Sequence, residues 1–360
     1  MQTVALLRLI LFVATGALVA FVLNVHQLQD STWYSVVIAA LLAIGLYAST
    51  WGIDLKEARQ HSKIIISAVT IGVIFKAAFT GLILTMLFHD PFFFILGIAV
   101  AQIDPLSVAG LMKGNRMSKK AKAILSSWAS FDDPATVLLS LYAPLLIAQI
   151  SGVHFGGIAD ASTANSLIGY AKEIGLNLAL AALVFCLYTT MRFYAKQITA
   201  RVTAGVSIAA YLLLAISISL SVACFAMLSI ALIGLFLRPA KIDALINTAV
   251  TWALGGAAFL LGLLLIDGIS FWQGIALGIV AYIAQIFAGF ILTRKLGKKD
   301  RWHIAFAQQN GITAIILALL FESTHPGTVA IVAPAILAIN TLHWLCNSII
   351  DRHLAKIVAR

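Results

Sequence analysis

Leu125-Ser-Ser-Trp-Ala-Ser-Phe-Asp-Asp-Pro-Ala-Thr-Val-Leu-Leu139 sets two adjacent carboxylates, Asp132 and Asp133, and a proline into the middle of an apolar run covering 123–150. Upstream, Ala101-Gln-Ile-Asp-Pro105 does the same with Asp104 inside the run 92–112. The meaning of these acids depends on what surrounds them. Of 360 residues, 61% are hydrophobic and 11% charged, where ordinary soluble domains carry roughly 25% charged. Mean hydropathy is +1.01. A water-facing surface cannot be assembled from so few charges. Composition therefore excludes two or three soluble domains and predicts an all-α polytopic membrane protein, with runs reaching the ~20 residues a bilayer span needs.

The apolar runs predict twelve spans: 4–23, 33–51, 64–88, 92–112, 123–150, 174–191, 204–220, 222–237, 245–266, 271–293, 302–321 and 329–350. The boundary between the seventh and eighth rests on Ser219 and Ser221 alone, so eleven spans is the alternative count. The first run carries Arg8 near its start, as a signal peptide would, but it is longer than a signal core and is read as a span. Lysines and arginines test the scheme independently. Arg8, Lys56, Arg59 and Lys63 fall on one side, as do the clusters at 113–122, 192–201, 238–241, 294–301 and 352–360. The other side receives only Lys172, and Lys76 lies within a span. The positive-inside rule then puts both termini in the cytoplasm of a cell (plasma or inner) membrane. The net charge of +10 is spent on orientation and calls for no nucleic acid. Arg116, Lys119 and Lys120 are candidates to meet anionic lipid head groups. The longest loop, 151–173, is expected outside, and Cys186, Cys224 and Cys346 all fall in spans, against a disulfide framework.

Ionisable groups at membrane depth are costly and usually functional. Among the acids only Asp104, Asp132 and Asp133 fall well inside spans; Lys76 is the one buried base, and His343 the one histidine deep in a span. Asp104 and Asp132 lie ~13 and ~15 Å from the cytoplasmic face, and Lys76 ~20 Å, at ~1.5 Å per helical residue. All four fit one site near the midplane. Each acidic segment is also expected to carry a backbone break, Asp104-Pro105 inside the fourth span and Asp133-Pro134 inside the fifth, since proline frees a carbonyl one turn back. Such polar backbone is tolerated at this depth only beside a cavity or other protein. Carboxylates beside unwound carbonyls make an oxygen site for a hard monovalent cation, and the same groups bind protons.

A counterpart sits in the second half. Gln308-Gln-Asn-Gly311 is a polar break inside the eleventh span. By the charge topology, spans 3–5 and 10–12 run in opposite directions, each with an interrupted helix in the middle. Inverted repeats with broken helices point to a transporter site at the repeat interface. His343 is read as polar glue between helices.

These residues resemble the cation:proton antiporter superfamily, the sodium/proton exchangers. Ala101–Pro105 resembles the family's Thr-Asp-Pro segment, and Phe131-Asp-Asp-Pro134 the helix whose Asn-Asp or Asp-Asp pair carries the ion. Leu220-Ser-Val-Ala223 with Gly234-Leu235, and Asn310-Gly311 before an Ala/Leu run, resemble its later motifs. The resemblance implies a single transmembrane domain in which two discontinuous helices cross. It also implies elevator-type exchange of Na⁺, with Li⁺ or K⁺ as alternatives, for H⁺, and a homodimer working in pH homeostasis without a cofactor. Residues 64–150 and 271–350 would form the ion-binding core, and 1–51 and 204–266 the scaffold and dimerisation helices. Asp133 matches the ion-carrying aspartate, Asp132 the variable position before it, and Asp104 the aspartate of the first broken helix.

Departures from the pattern are also legible. Ile103 replaces a common Thr and removes an oxygen ligand, and Trp128 stands where the electroneutral branch usually has Glu. The basic residue expected on the tenth span is missing, with Gln285 the most polar group near that depth. Lys76, on the inverted counterpart of that span, is expected to reach Asp132 or Asp133 instead. Gln309 and Asn310 are supporting candidates. A sodium-coupled organic-anion symporter of similar fold is the first rival, though the spans offer little polar cavity for a solute. An intramembrane aspartyl protease is the second, and the one enzyme considered; no Gly-x-Gly-Asp segment is present.

Overall fold

The computed structural model describes residues 2–24, 28–53, 59–60, 62–108, 111, 116–151, 167–197, 200–239 and 242–358. Among them there is no strand. Twelve helical segments follow one another: α1 (Gln2–Leu23), α2 (Thr32–Trp51), α3 (Ser62–Phe88), α4 in two pieces (Phe92–Val100 and Pro105–Val108) and α5 (Lys119–Ser151). Then come α6 (Leu167–Gln197), α7 (Ala200–Ala223), α8 (Met227–Phe236), α9 (Asp243–Leu264) and α10 (Phe271–Leu292). α11 is again in two pieces (Lys298–Ala305 and Ile312–Glu322), and α12 runs Thr328–Val358. Seven of these helices are long and apolar enough to cross a bilayer on their own, and shorter apolar pieces supply others.

Large apolar side chains face outward along the helices, among them Phe21, Ile74, Leu212, Trp252 and Trp272. That is the surface of a chain dissolved in lipid rather than water. Inside, small residues let backbones approach. A Cβ on Gly16 of α1 would overlap the carbonyl of Phe259 and the backbone of Gly262 on α9, and one on Gly234 of α8 would overlap Tyr47 and Thr50 of α2. Close crossings of this kind are how helices associate where hydrophobic burial gives no drive. α10 packs on α12 and α3, and α2 packs against α7, α8 and α9 as well as α5 and α11.

Several features differ from the sequence expectation, and one is the break expected at Asp133-Pro134: α5 runs unbroken through it. The seventh and eighth spans part at Cys224–Ala226, not at Ser219–Ser221: Phe225 takes a left-handed φ of 51°, and the Ala226 N–H returns to the Ser221 carbonyl (2.8 Å). This is the helix-ending hydrogen bond of a left-handed cap. Ser221 needs no break, because its Oγ pairs with Ser229 Oγ (3.2 Å) across the turn. Cys224 consequently lies in the turn and is exposed. α6 begins at Leu167, so Lys172 and Glu173 are helical, and 152–166 of the expected outer loop lies outside the described residues. At the far end of α11, Glu322 is buried and caps α12, accepting the N–H groups of Gly327 (2.7 Å) and Val329 (2.6 Å). His325 stacks on Phe92 there, and burial lowers its pKa against the pull of Asp90.

Candidate functional site

Pro105 has no N–H and steers the residue before it away from the helical region. α4 accordingly unwinds over 101–104, and α11 unwinds before Gly311. The two breaks satisfy one another. Asp104 N–H donates to the Gln309 carbonyl (2.9 Å), and the Val100 carbonyl accepts from the amides of Gln308 (2.8 Å) and Asn310 (3.1 Å). Asn340 of α12 clamps Asn310 from behind, accepting its N–H and donating to its carbonyl, both at 3.1 Å. Gly311 is required here, because a Cβ would overlap the Asp104 carboxylate.

Asp132 and Asp133 are neighbours on α5 and both fully buried. Successive helical residues point about 100° apart, so the two carboxylates meet different partners. Asp132 Oδ2 accepts from Lys76 Nζ and from the Ile103 N–H, each at 2.7 Å. The Lys76 ammonium, itself fully buried, also lies 5.5 Å from the centre of the Trp128 ring. Asp133 Oδ2 accepts from Ser49 Oγ of α2 at 2.8 Å. Its Oδ1 accepts from Gln102 at 2.9 Å, with the Gln102 amide turned so that its oxygen takes the Ala314 N–H (2.6 Å). Asp104, itself almost fully buried, stands on the first break next to Ile103, whose N–H binds Asp132. Three carboxylates and one ammonium are thus gathered where the breaks cross.

Lys76 follows a π turn, Ala68–Gly72, inside α3. Such turns hold one residue more than an α-helix and concentrate at functional sites. Gly72 leaves the space that the Leu292 side chain needs beside it.

Of the supporting candidates, Ile103 contributes its N–H while its side chain packs with Val108, Leu111 and Trp128. Gln309 supplies a carbonyl, and Asn310 knits the breaks. Gln285 is buried on α10, where its amide donates to the Ile304 carbonyl (3.2 Å) of α11 rather than to an aspartate. His343 neighbours Asn347, which holds the Phe306 carbonyl (2.9 Å). Sequence reasoning missed Ser49, Gln102 and Asn340. Gln102 lies inside the quoted acidic segment, and Asn340 is a polar residue within the last apolar span. For Ser49 the only signal was a hydroxyl pair with Thr50 near the end of the second span. The π turn leaves no mark in the apolar pattern.

Known proteins share this architecture. The sodium proton antiporter MjNhaP1 from Methanocaldococcus jannaschii, in its structure at pH 8, superposes with a TM-score of 0.60 over 100% of this chain and 99% of that one, at 16% identity. A second structure of the same antiporter gives 0.58. At such identity the likeness concerns the fold. In sequence, the K(+)/H(+) antiporter NhaP2 of Shewanella oneidensis is 28% identical over 273 residues, and that of Shewanella sp. strain ANA-3 is 27% identical. Each match takes in 71% of this chain and 45% of the relative, so the chain matches less than half the length of these proteins. A family model, "Sodium/hydrogen exchanger, transmembrane", matches residues 3–350. The chain belongs to the sodium/hydrogen exchanger family.

Proposed function

We propose that the protein exchanges a monovalent alkali cation, Na⁺ or K⁺, for H⁺ across a cell membrane. The observation that carries this is the meeting of Asp104, Asp132 and Asp133 with a single ammonium where two unwound segments cross. Three buried carboxylates with one base leave a site that is anionic until a proton or a cation fills it. Competition for the same oxygens is the simplest route to exchange. Family membership supports the reading, as do the relatives named for K⁺/H⁺ and Na⁺/H⁺ antiport.

In this reading Asp133 carries the ion. Asp104 and the Gln102–Ser49 donors shape its surroundings, and Lys76 balances Asp132 until cation binding displaces it. Residues 64–150 and 271–350 move as the core of an elevator against a scaffold of 1–51 and 204–266, which also forms a homodimer. Both termini are cytoplasmic, and the basic clusters of the inner face meet anionic lipid.

The test is ΔpH dissipation in proteoliposomes on adding Na⁺, K⁺ or Li⁺, beside an Asp133→Asn control. A cation-specific signal that the variant lacks is the expected result and names the ion. Folded protein that dissipates no gradient with any of the three overturns the proposal.

A further inference from the structure

Asp133 meets the side-chain donors Ser49, Gln102 and Thr313, and the core–scaffold division puts Ser49 in a different body from the other two. Gln102 lies on the first break and would travel with Asp133. Ser49 lies on α2, in the scaffold, yet its hydroxyl reaches Asp133 Oδ2 at 2.8 Å. A hydroxyl has one proton to donate, and Ser49 has a second acceptor waiting: the Gly45 carbonyl of its own helix, 2.9 Å away. Helical serines elsewhere in the chain make that local bond, Ser217 to Leu213 and Ser348 to Trp344. Ser49 can therefore let go of Asp133 without orphaning itself. Asp133 keeps its core partners Gln102 and Thr313 but loses the one donor that ties it to the scaffold. An anionic oxygen that loses a donor at membrane depth needs a proton or a cation in its place.

We propose that Ser49 is a coupling latch. Its hydrogen bond pins the unloaded, anionic Asp133 to the scaffold, and loading with either H⁺ or the cation releases it. The inference rests on the exchange reading above. Bonds to an ionised acceptor are about twice as strong as neutral ones, so the latch holds only the charged, empty site. That asymmetry is what an exchanger requires: a loaded core crosses and an empty one stays. A second hydrogen bond from α2 to the core among the described residues, Tyr34 Oη to the Leu319 carbonyl (2.7 Å), has a neutral acceptor and is indifferent to loading. The charged groups around Asp133 are Asp104 from the first break and Asp132 with its Lys76. Arg238, just after α8, donates to the carbonyls of Ile53 (2.9 Å) and Thr50 (3.4 Å) at the end of α2. Among the described residues none of these charges bridges Asp133 to the scaffold, and the hydrogen bond that does so is the serine's.

A broken latch lets the empty core return, which converts exchange into a proton leak. The test is proton flux in proteoliposomes under a pH gradient with no alkali cation, using a permeant anion to compensate charge. Without alkali cation, Ser49→Ala is expected to leak protons about tenfold faster than wild type. Ser49→Thr, which keeps a hydroxyl, is expected to restore tight coupling. If Ser49→Ala does not fold, Ser49→Cys, of similar size and a poor donor, shows the same leak. A folded Ser49→Ala that stays tightly coupled overturns the latch; if its apparent KM for the cation also rises, Ser49 is an ion ligand instead. A wild-type protein with no exchange in the same vesicles overturns the exchange reading itself, which separates the two failures.

Discussion

Lys76 and Asp132 are each inaccessible to solvent, and each is tolerable there only because of the other. Removing one member of a buried ion pair typically costs about 3–5 kcal/mol, whereas replacing both with apolar residues is often neutral or better. Lys76→Met alone is therefore expected to lower the melting temperature sharply. The double variant Lys76→Met with Asp132→Leu is expected to recover most of that loss. A single variant as stable as wild type would mean that the ammonium gives Asp132 no support. Trp128 adds to the pairing, since an ammonium 5.5 Å from an indole face gains from the ring quadrupole in a desolvated setting. A glutamate at that position would have put a third carboxylate within one turn of Asp132. The tryptophan and the lysine on α3 thus make a consistent exchange of one basic arrangement for another.

At the scale of a helix, the π turn of α3 means that the segment from Ser62 to Phe88 carries one residue more than its path requires. Deleting the lipid-facing Ile71 is expected to convert the turn to α-helix and leave Lys76 facing Asp132, with folding yield near wild type. Deleting Leu82, equally lipid-facing but beyond Lys76, turns the two parts of the helix ~100° relative to one another. It is expected to abolish folding or exchange. Size-exclusion profiles of the two deletions compare them directly, and equal outcomes would deny the turn any role in setting register. The same element marks where sequence reasoning stops. The span was legible from its apolar length and Lys76 from its depth, because both are properties of composition along a line. The turn was not, because Ala68-Val-Thr-Ile-Gly72 is as apolar as the helix around it. The acid and proline of Ala101–Pro105 disclosed the first broken helix and Gln308–Gly311 the second, whereas Asp133-Pro134 marks no break, because α5 runs through it as one helix. Ser49 stayed hidden because a serine bonding its own helix and one bonding Asp133 have the same sequence. The break between α7 and α8 was misplaced for a related reason: Ser221 looked like a loop residue but is paired inside.

Over the whole molecule, the mutual repair of α4 and α11 has a cost in time. The Val100 carbonyl waits for Gln308, 208 residues further along the chain, and for Asn310 just beyond it. At roughly 5–20 residues per second, synthesis delivers those partners on the order of ten to forty seconds later. A fragment ending after α6 is therefore expected to be short-lived in the membrane, and co-expressing residues 200–358 to prolong its half-life in pulse-chase measurements. A fragment as durable alone as with its complement would show that the first break can be satisfied locally. During that interval the nascent chain holds an unwound, carboxylate-bearing segment in the bilayer with no partner yet made. Biogenesis of this protein is therefore a race in which the first half must be sheltered, by lipid head groups, water or insertion machinery, until the second half arrives to close it.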